Sequence, residues 1–229
     1  MIWIIIIAFG LLSFIASQRL KNKFKKYSKI PLAAGVSGAE AAAKMLHDHK
    51  IYDVEITCVP GRLTDHYNPS NKTVNLSESV YHGRNAAAVA IAAHEVGHAV
   101  QHANAYSMLA FRSMMVPVQN ISSTILNVIF FLMIFGVFLL NVFPMSVALL
   151  IIIGCYAVTT LFSFITLPVE IDASKRALAW VESSRVVNAE EYAMSKDALK
   201  WAALTYVIAA IGSLAMLSYY VLQFIGMDD

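Results

Sequence analysis

Long apolar segments constrain the fold of this chain more than any other feature. Residues 118–140, 145–167 and 202–225 contain no charged side chain. Each is long enough to cross a hydrocarbon core of ~30 Å as a helix that rises ~1.5 Å per residue. Residues 1–17 form a shorter apolar segment, and basic residues follow it rather than precede it, so we expect an uncleaved anchor and not a signal peptide. The sequence therefore predicts a mainly α-helical membrane protein with about four transmembrane helices.

Composition supports a membrane protein with a small part outside the bilayer. With 58% hydrophobic and 14% charged residues, the chain is too apolar for an ordinary soluble domain. Residues 18–115 and 168–200 lie outside the apolar segments and together amount to roughly 130 residues, enough for one small hydrophobic core. The two cysteines, Cys58 and Cys155, lack metal-ligand or redox spacing and are too few for a disulfide scaffold.

Basic residues predict the orientation in the membrane. Six of them follow the first apolar segment with no acidic residue among them: Arg19, Lys21, Lys23, Lys25, Lys26 and Lys29. The turn at 141–144 carries no charge, and the C-terminus carries only Asp228 and Asp229. The positive-inside rule then places residues 18–115 and 168–200 in the cytoplasm. A basic run can also bind nucleic acid, but beside a membrane span it is better suited to anionic lipid, so we expect no nucleic-acid partner.

Local signals predict a small α+β part between the apolar segments. Ser37 followed by Glu40 fits a helix capping box, and Asn188 followed by Glu191 resembles a second one. Asn85 is a suitable start for an alanine-rich helix. We expect these elements: a helix from 37 to about 49, strands at 53–59, 63–67 and 73–76, a helix at 85–102, a helix at 169–182 with Pro168 in its first turn, and a helix from 188 into the last apolar segment.

An H-E-x-x-H motif occupies residues 94–98, which read His94-Glu95-Val96-Gly97-His98. Residues four apart lie on one helix face, so His94 and His98 can offer two imidazole nitrogens to one zinc ion. Glu95 is then placed to act as general base toward a zinc-bound water. Gly97 leaves room for another element to approach closely. The alternative interpretation is a pair of hydrogen-bonded core histidines beside a surface glutamate.

Two acidic residues are candidates for a third zinc ligand, because catalytic zinc sites usually have three protein ligands and a water. Glu170 and Asp172 stand together just after the third apolar segment. Residues two apart on a helix point roughly 200° apart, so only one of them can face the metal. The other could orient a histidine or cap a neighbouring group. The residues alone do not choose between them, and both could be ordinary interfacial charges.

Three motifs resemble those of one protein family. Residues 92–99, which include the H-E-x-x-H motif, residues 167–174 and residues 63–69 look like the bacterial YugP-like membrane zinc metallopeptidases. The likeness covers essentially the whole chain. More distantly, the chain is similar to the HtpX-like and prenyl-protein membrane proteases. Those proteases carry the same motif and a later glutamate ligand on a helix that emerges from the membrane.

The resemblance implies a zincin-like cytoplasmic part with one Zn²⁺ per chain, held by His94, His98 and Glu170. The related proteases often place an aspartate four residues after the ligand glutamate, where this chain has Ser174. Asp172 lies only two residues after Glu170, so the groups that orient the ligands differ from the related pattern.

Further polar residues are weaker candidates for the site. His66 and Tyr67 could donate hydrogen bonds to a developing oxyanion, or belong to a surface turn. His102 could be a third histidine on the motif's helix face, or pack at the helix end. Arg176 could bind a substrate carboxylate, or extend to the membrane interface. The strand at 73–76 could pair with an extended peptide, or be a plain structural edge.

These observations lead to one expected function and two alternatives. We expect a multi-pass protein of the cell membrane whose zinc metallopeptidase site faces the cytoplasm. It would hydrolyse peptide bonds of membrane-associated proteins or peptides, with Glu95 activating the zinc-bound water. Its partners would be the lipid bilayer and a protein or peptide substrate, and a homo-oligomer or a membrane scaffold partner stays open. One alternative is a noncatalytic zinc-binding membrane scaffold or assembly factor, and the other keeps the fold but cleaves only soluble peptides.

Overall fold

Helices make up most of the chain. The computed structural model describes residues 1–134 and 144–226. The helices are α1 (Ile2–Tyr27), α2 (Gly38–Asp48), α3 (Glu78–Tyr81), α4 (Ala86–Ala103), α5 (Ser107–Ile134), α6 (Met145–Ser183) and α7 (Ala189–Ile225), and the strands are β1 (Glu55–Val59), β2 (His66–Asn68) and β3 (Thr73–Ser77). Most of the turn predicted at 141–144, the end of the segment predicted at 118–140, and Asp228 and Asp229 lie outside the described residues.

Four of these helices, α1, α5, α6 and α7, are long and apolar enough to cross a membrane. Their surfaces are rich in exposed hydrophobic side chains. Trp3, Phe14, Phe130 and Leu222, for example, are each more than half exposed. Apolar surface on this scale is unfavourable in water and is matched by the lipid hydrocarbon. The predicted mainly α-helical membrane protein with a small sheet is confirmed.

The chain divides into two compact units. One unit comprises Met1–Ser13, Phe111–Leu167 and the chain from Tyr206 onward. It consists of apolar helical segments in the part that the structure describes. Within it, the rings of Tyr156 and Tyr220 stack with their centroids 5.3 Å apart.

The second unit comprises Phe14–Ala110 and Pro168–Thr205 and contains every candidate site residue. In its sheet, β3 is the central strand, parallel to β1 on one side and antiparallel to β2 on the other. Helices α2 and α3 pack against α4. Met45, Leu76 and Val80 are fully buried in the resulting core.

Helix α4 is rich in alanine, which allows other elements of this unit to pack closely around it. The Asn85 side chain caps the helix, because its Oδ1 accepts a hydrogen bond from the Ala88 amide at 2.9 Å. Alanine favours the helix and leaves room for neighbours to approach closely, and residues 86–90 are all buried. The helix predicted at 85–102 is confirmed, shifted by one residue.

Both predicted capping boxes form. The Ser37 Oγ accepts from the Glu40 amide at 3.2 Å, while the Glu40 carboxylate accepts from the Ser37 amide at 2.7 Å. Asn188 and Glu191 make the same reciprocal pair, at 2.9 and 2.7 Å. The second box starts α7, which runs without a break into the last apolar segment as predicted.

The strands differ from the prediction in position and in role. β1 starts two residues later than predicted and β2 three residues later. Leu63 has a φ of 58°, a left-handed value that a strand does not accommodate. Asp65, directly before β2, is held at the end of β3, because its carboxylate accepts from the Ser77 amide at 2.7 Å. β3, predicted as an edge that could receive a peptide, is paired on both sides, so that prediction is wrong.

Helix α1 continues through the basic residues that follow the apolar segment 1–17. Lysine and arginine are good helix formers, and two of them find partners on α7. The Arg19 guanidinium lies 5.9 Å from the centroid of the Trp201 ring. The Lys23 ammonium lies 2.7 Å from the Asp197 carboxylate. The first apolar segment is therefore part of a helix of 26 residues, longer than the sequence indicated.

Pro168 lies inside α6 and not in the first turn of a separate helix, so that expectation is wrong. Proline lacks an N–H and removes one hydrogen bond between successive turns. Long apolar helices tolerate this loss where neighbouring groups satisfy the freed carbonyl. As a result, the apolar segment 145–167 and Glu170 belong to one continuous helix.

A close backbone contact joins α4 to α6. A Cβ atom on Gly97 would lie 2.7 Å from the carbonyl oxygen of Ala173, too close for any side chain. The close approach expected at Gly97 is confirmed. Its partner is the helix that carries Glu170.

Gly97→Ala should force these two helices apart. Overpacking a tight contact costs roughly 1–3 kcal/mol, and each kcal/mol lowers Tm by about 2–4 °C for a chain of this size. Gly154→Ala is the matched control, because Gly154 is a helical glycine of α6 at which a Cβ meets no atom within 4 Å. Thermal unfolding in detergent should show a lower Tm for Gly97→Ala alone. Equal Tm values for the two variants would contradict the close contact.

Candidate metal centre

Two histidines and one glutamate bring their ligand atoms together. The Nε2 atoms of His94 and His98 lie 3.2 and 3.6 Å from the Glu170 Oε2. Potential ligand atoms of the three residues all lie within 4.8 Å of one another. The histidines belong to α4 and the glutamate to α6, on either side of the contact at Gly97. The structure thus assembles the three residues that the sequence analysis expected as ligands.

The spacing of these atoms suits a tetrahedral zinc ion. Bonds of ~2.0–2.1 Å at tetrahedral angles put neighbouring ligand atoms about 3.3 Å apart. The two measured separations, 3.2 and 3.6 Å, are close to that value. Imidazole nitrogen and carboxylate oxygen are also donors that zinc prefers. Three protein donors leave one position of a tetrahedral shell for water or substrate.

The electrostatics of the cluster favour a cation. The side chains of Glu170 and His98 are only 3% and 9% exposed. Burial raises the pKa of Glu170, but hydrogen bonds with His94 and His98 outweigh it and hold that pKa well below its usual range. Burial also lowers the pKa of His98, but its hydrogen bond with Glu170 and the charge of Glu95 bring a net increase. The lowered pKa of Glu170 and the raised pKa of His98 both indicate that the space between these side chains stabilises positive charge. A metal ion would supply that charge.

Each histidine is oriented through its other ring nitrogen. The His94 Nδ1 lies 3.1 Å from the Ser174 Oγ, and the His98 Nδ1 lies 3.0 Å from the Gln101 Oε1. An amide oxygen only accepts, so the His98 Nδ1 donates, and in the neutral imidazole the lone pair is on the Nε2 that faces Glu170. Metal-bound histidines are commonly held in this way. Ser174 therefore contacts a candidate ligand from the position where related proteases often have an aspartate.

Gln101 links the motif's helix to α6 from inside the core. Its side chain is fully buried, and its Nε2 donates to the Val169 carbonyl and to the Asp172 carboxylate, both at 2.8 Å. Asp172 also accepts from the Arg176 Nε at 2.6 Å. Asp172 thus reaches His98 through Gln101, whereas Glu170 faces the histidines directly. Arg176, expected to bind substrate or to extend to the interface, pairs with Asp172 in this structure.

The carboxylate of Glu95 is positioned from the sheet. Glu95 is only 8% exposed, and its Oε2 accepts a hydrogen bond from the Tyr67 amide at 3.0 Å. Tyr67 is the middle residue of β2, an edge strand of the sheet. The charge of Glu95 also acts on His98, and a carboxylate held in place in this way is suited to exchange a proton with a reacting group.

His66 and His102, the other two histidines considered for the site, lie outside the cluster formed by His94, His98 and Glu170. The Tyr67 hydroxyl lies 2.8 Å from the Nδ1 of His102, which follows Glu95 on α4 by about two turns. His66 is exposed, and its Nδ1 lies 2.7 Å from the Thr64 carbonyl. Tyr67 therefore contacts Glu95 through its backbone amide and His102 through its hydroxyl.

The chain resembles known proteins along nearly its whole length. A family model described as "Putative neutral zinc metallopeptidase" matches residues 2–225. The chain belongs to this family. It is also 40% identical over 231 residues to the "Putative membrane protease YugP" of Bacillus subtilis (strain 168), an alignment that covers 100% of this chain and 98% of the relative. No solved structure matches the chain.

Family membership confirms the YugP-like resemblance and supports zinc as the cofactor. It also supports the multi-pass membrane location that the four long apolar helices indicate. Sequence reasoning missed one supporting residue, Gln101, and one contact, the pair of Tyr67 and His102. Gln101 lies three residues after His98, so a polar residue on the same helix face was the available signal. Its partners lie on α6, about 70 positions away, and no local pattern points to them.

Proposed function

We propose that this chain is a zinc metallopeptidase that hydrolyses peptide bonds of membrane-associated proteins or peptides at the cytoplasmic face of the membrane. His94, His98 and Glu170 hold one Zn²⁺, and Glu95 is the general base. The observation that carries the proposal is the convergence of two imidazole Nε2 atoms on one Glu170 oxygen, next to the buried and hydrogen-bonded Glu95. A purely structural zinc site does not need that last residue.

When bound, zinc lowers the pKa of a coordinated water toward ~7 and polarises the scissile carbonyl. The proton of the attacking water is transferred by a side chain of the protein. Glu95 accepts it from the attacking water and returns it to the amine nitrogen as the C–N bond breaks. Because the Tyr67 amide engages Oε2, we assign the proton to Oε1. Ser174 and Gln101 engage the imidazole Nδ1 atoms and leave both Nε2 atoms directed at the metal position.

The proposed orientation and substrate class rest on the chain around the site. Six basic residues follow the first apolar segment, and the positive-inside rule places them in the cytoplasm. Glu170 follows the apolar segment 145–167 by three residues on the same helix. A catalytic residue tethered this closely to a membrane segment favours substrates that are themselves membrane-associated.

Glu95→Gln should keep zinc but lose turnover, because an amide cannot accept the water's proton. General acid–base catalysis is worth roughly 10²–10⁴-fold. Proteomics would compare new membrane-protein termini in cells that express the wild type, Glu95→Gln or Glu182→Gln, and zinc content would be measured on the purified proteins. Glu182 is an exposed glutamate of α6, so its variant controls for the loss of one charge.

Two outcomes of that comparison would favour the alternatives. Termini that persist at wild-type levels with Glu95→Gln would favour a noncatalytic zinc-binding scaffold. Glu95-dependent termini confined to soluble proteins would favour a peptidase for soluble substrates.

Zinc content should fall in a set order when the site is altered. Wild-type protein should hold about one equivalent, and His94→Ala, His98→Ala or Glu170→Ala should lose most of it, because two donors retain zinc poorly. Asp172→Ala should weaken zinc binding only about 10–100-fold, as expected of a group that acts behind a ligand. His66→Ala is the control, since His66 is an exposed histidine outside the cluster.

Competition with a chelator would measure these affinities. Gln101→Leu should resemble Asp172→Ala, because both changes break the same chain of hydrogen bonds to His98. A larger loss for Asp172→Ala than for Glu170→Ala would assign the ligand role to Asp172. Full zinc retention in both histidine variants would refute the site.

Cysteine labelling tests the orientation. In a protein without Cys58 and Cys155, a reporter cysteine in place of the exposed Asn71 should be shielded from an impermeant reagent in intact cells and should react after permeabilisation. A reporter in place of Asp228 should react in intact cells. Labelling of the Asn71 position from outside would invert the orientation and make the accessible substrates extracytoplasmic.

A further inference from the structure

A small cavity lies against the last turns of α4, beyond the metal centre. Its volume is about 110 Å³. Its apolar walls come from Ile51, Val54, Ala99 and Ala103. Two polar pairs complete the lining. One is the Tyr67 hydroxyl with the His102 imidazole, and the other is an ion pair between Asp53 and Lys72 at 2.6 Å.

Helix geometry connects this cavity to the proposed general base. Glu95, Ala99 and His102 stand at positions i, i+4 and i+7, which form one stripe along the helix. Tyr67 spans the same stripe, because its amide donates to Glu95 and its hydroxyl contacts His102. At ~1.5 Å per residue, the cavity begins about 6–10 Å along the helix from Glu95.

The distance from Glu95 to the cavity matches the distance between the cleaved bond and a side chain two or three residues away on an extended peptide. An extended chain advances ~3.3 Å per residue. A side chain two or three residues from the scissile bond would therefore reach the cavity while the peptide bond lies at Glu95. The cavity and the site belong to the same compact unit of the chain.

The lining indicates which side chain fits. The four polar groups are already paired with one another, so a charged side chain would have to compete with an existing pair. An uncharged apolar side chain would instead cover the walls formed by Ile51, Val54 and Ala99. The volume is somewhat less than the ~150 Å³ of a cavity that admits benzene. This size suits leucine, isoleucine or methionine and is too small for tryptophan.

We propose that this cavity is a specificity subsite that binds one medium-sized aliphatic side chain of the substrate, two or three residues from the cleaved bond. The proposal rests on the peptidase function proposed above and adds a substrate preference to it. Ala99 and Ala103 set the depth of the subsite, because a larger residue at either position would occupy it. The exposed Ala103 is the better position to change, since Ala99 is almost fully buried.

Ala103→Leu should fill the subsite. The test uses positional-scanning peptide libraries in which one position at a time is fixed as Ala, Leu, Trp, Lys or Glu. Wild-type protein should prefer Leu over Ala about 10-fold or more at one position two or three residues from the cleaved bond. Ala103→Leu should reduce that ratio to about one. Ala110→Leu is the matched control, because Ala110 is an exposed alanine of α5 outside the cavity, and it should retain the wild-type ratio.

A binding measurement separates the subsite from the chemistry. The Glu95→Gln protein, immobilised, should capture Leu peptides over Ala peptides from the same libraries, and Glu95→Gln combined with Ala103→Leu should not. Selective capture without cleavage by the wild type would support the subsite and overturn the peptidase proposal. An unchanged Leu-to-Ala ratio in Ala103→Leu would overturn the subsite, and so would a preference for Lys, Glu or Trp at that position.

Discussion

The close approach of α4 and α6 at Gly97 is the constraint on which the rest of the site depends. Gly97 stands between the two histidines of the motif, and its partner Ala173 lies three residues after Glu170. Bringing these two backbones together therefore brings the imidazole and carboxylate atoms within about one zinc coordination shell. A residue without a functional group thus sets how closely the three candidate ligands meet, because any larger residue would contact a backbone carbonyl that cannot move independently of its helix.

Polar side chains in the core also join α4 to α6 and orient the two histidines. Gln101 accepts a hydrogen bond from His98 with its oxygen and donates to α6 with its nitrogen, so one buried amide orients a candidate ligand and joins the two helices. Ser174, which lies on α6, contacts the Nδ1 of His94 on α4 and so also orients a histidine and joins the two helices. The hydrogen-bonded core histidines considered as an alternative are thus present, but they surround a carboxylate that is 3% exposed. A buried charge of this kind needs a counter-charge, and the zinc ion proposed for this site would supply one.

The small sheet also positions residues of α4. β2 lies at the sheet edge, and its central residue holds Glu95 by a backbone amide and His102 by a side-chain hydroxyl. The proposed proton acceptor and the proposed subsite are therefore positioned by a single residue, Tyr67. This coupling explains how a sheet of three short strands can organise a site on helices. Its contribution is alignment along one helix face, whereas β3 is buried and serves the core.

The sequence by itself determined the membrane class, the helix starts at Ser37, Asn85 and Asn188, and the facing pair of motif histidines. Each of these follows from composition or from residues within about four positions of one another, where helix geometry is the same in any fold. Tertiary structure decided the rest. The choice of Glu170 over Asp172 as the residue facing the histidines, the bridging position of Gln101 and the central place of β3 depend on contacts between distant parts of the chain. The Gln101–Asp172 hydrogen bond, for instance, joins residues 71 positions apart, and only the packing of α4 on α6 could select it.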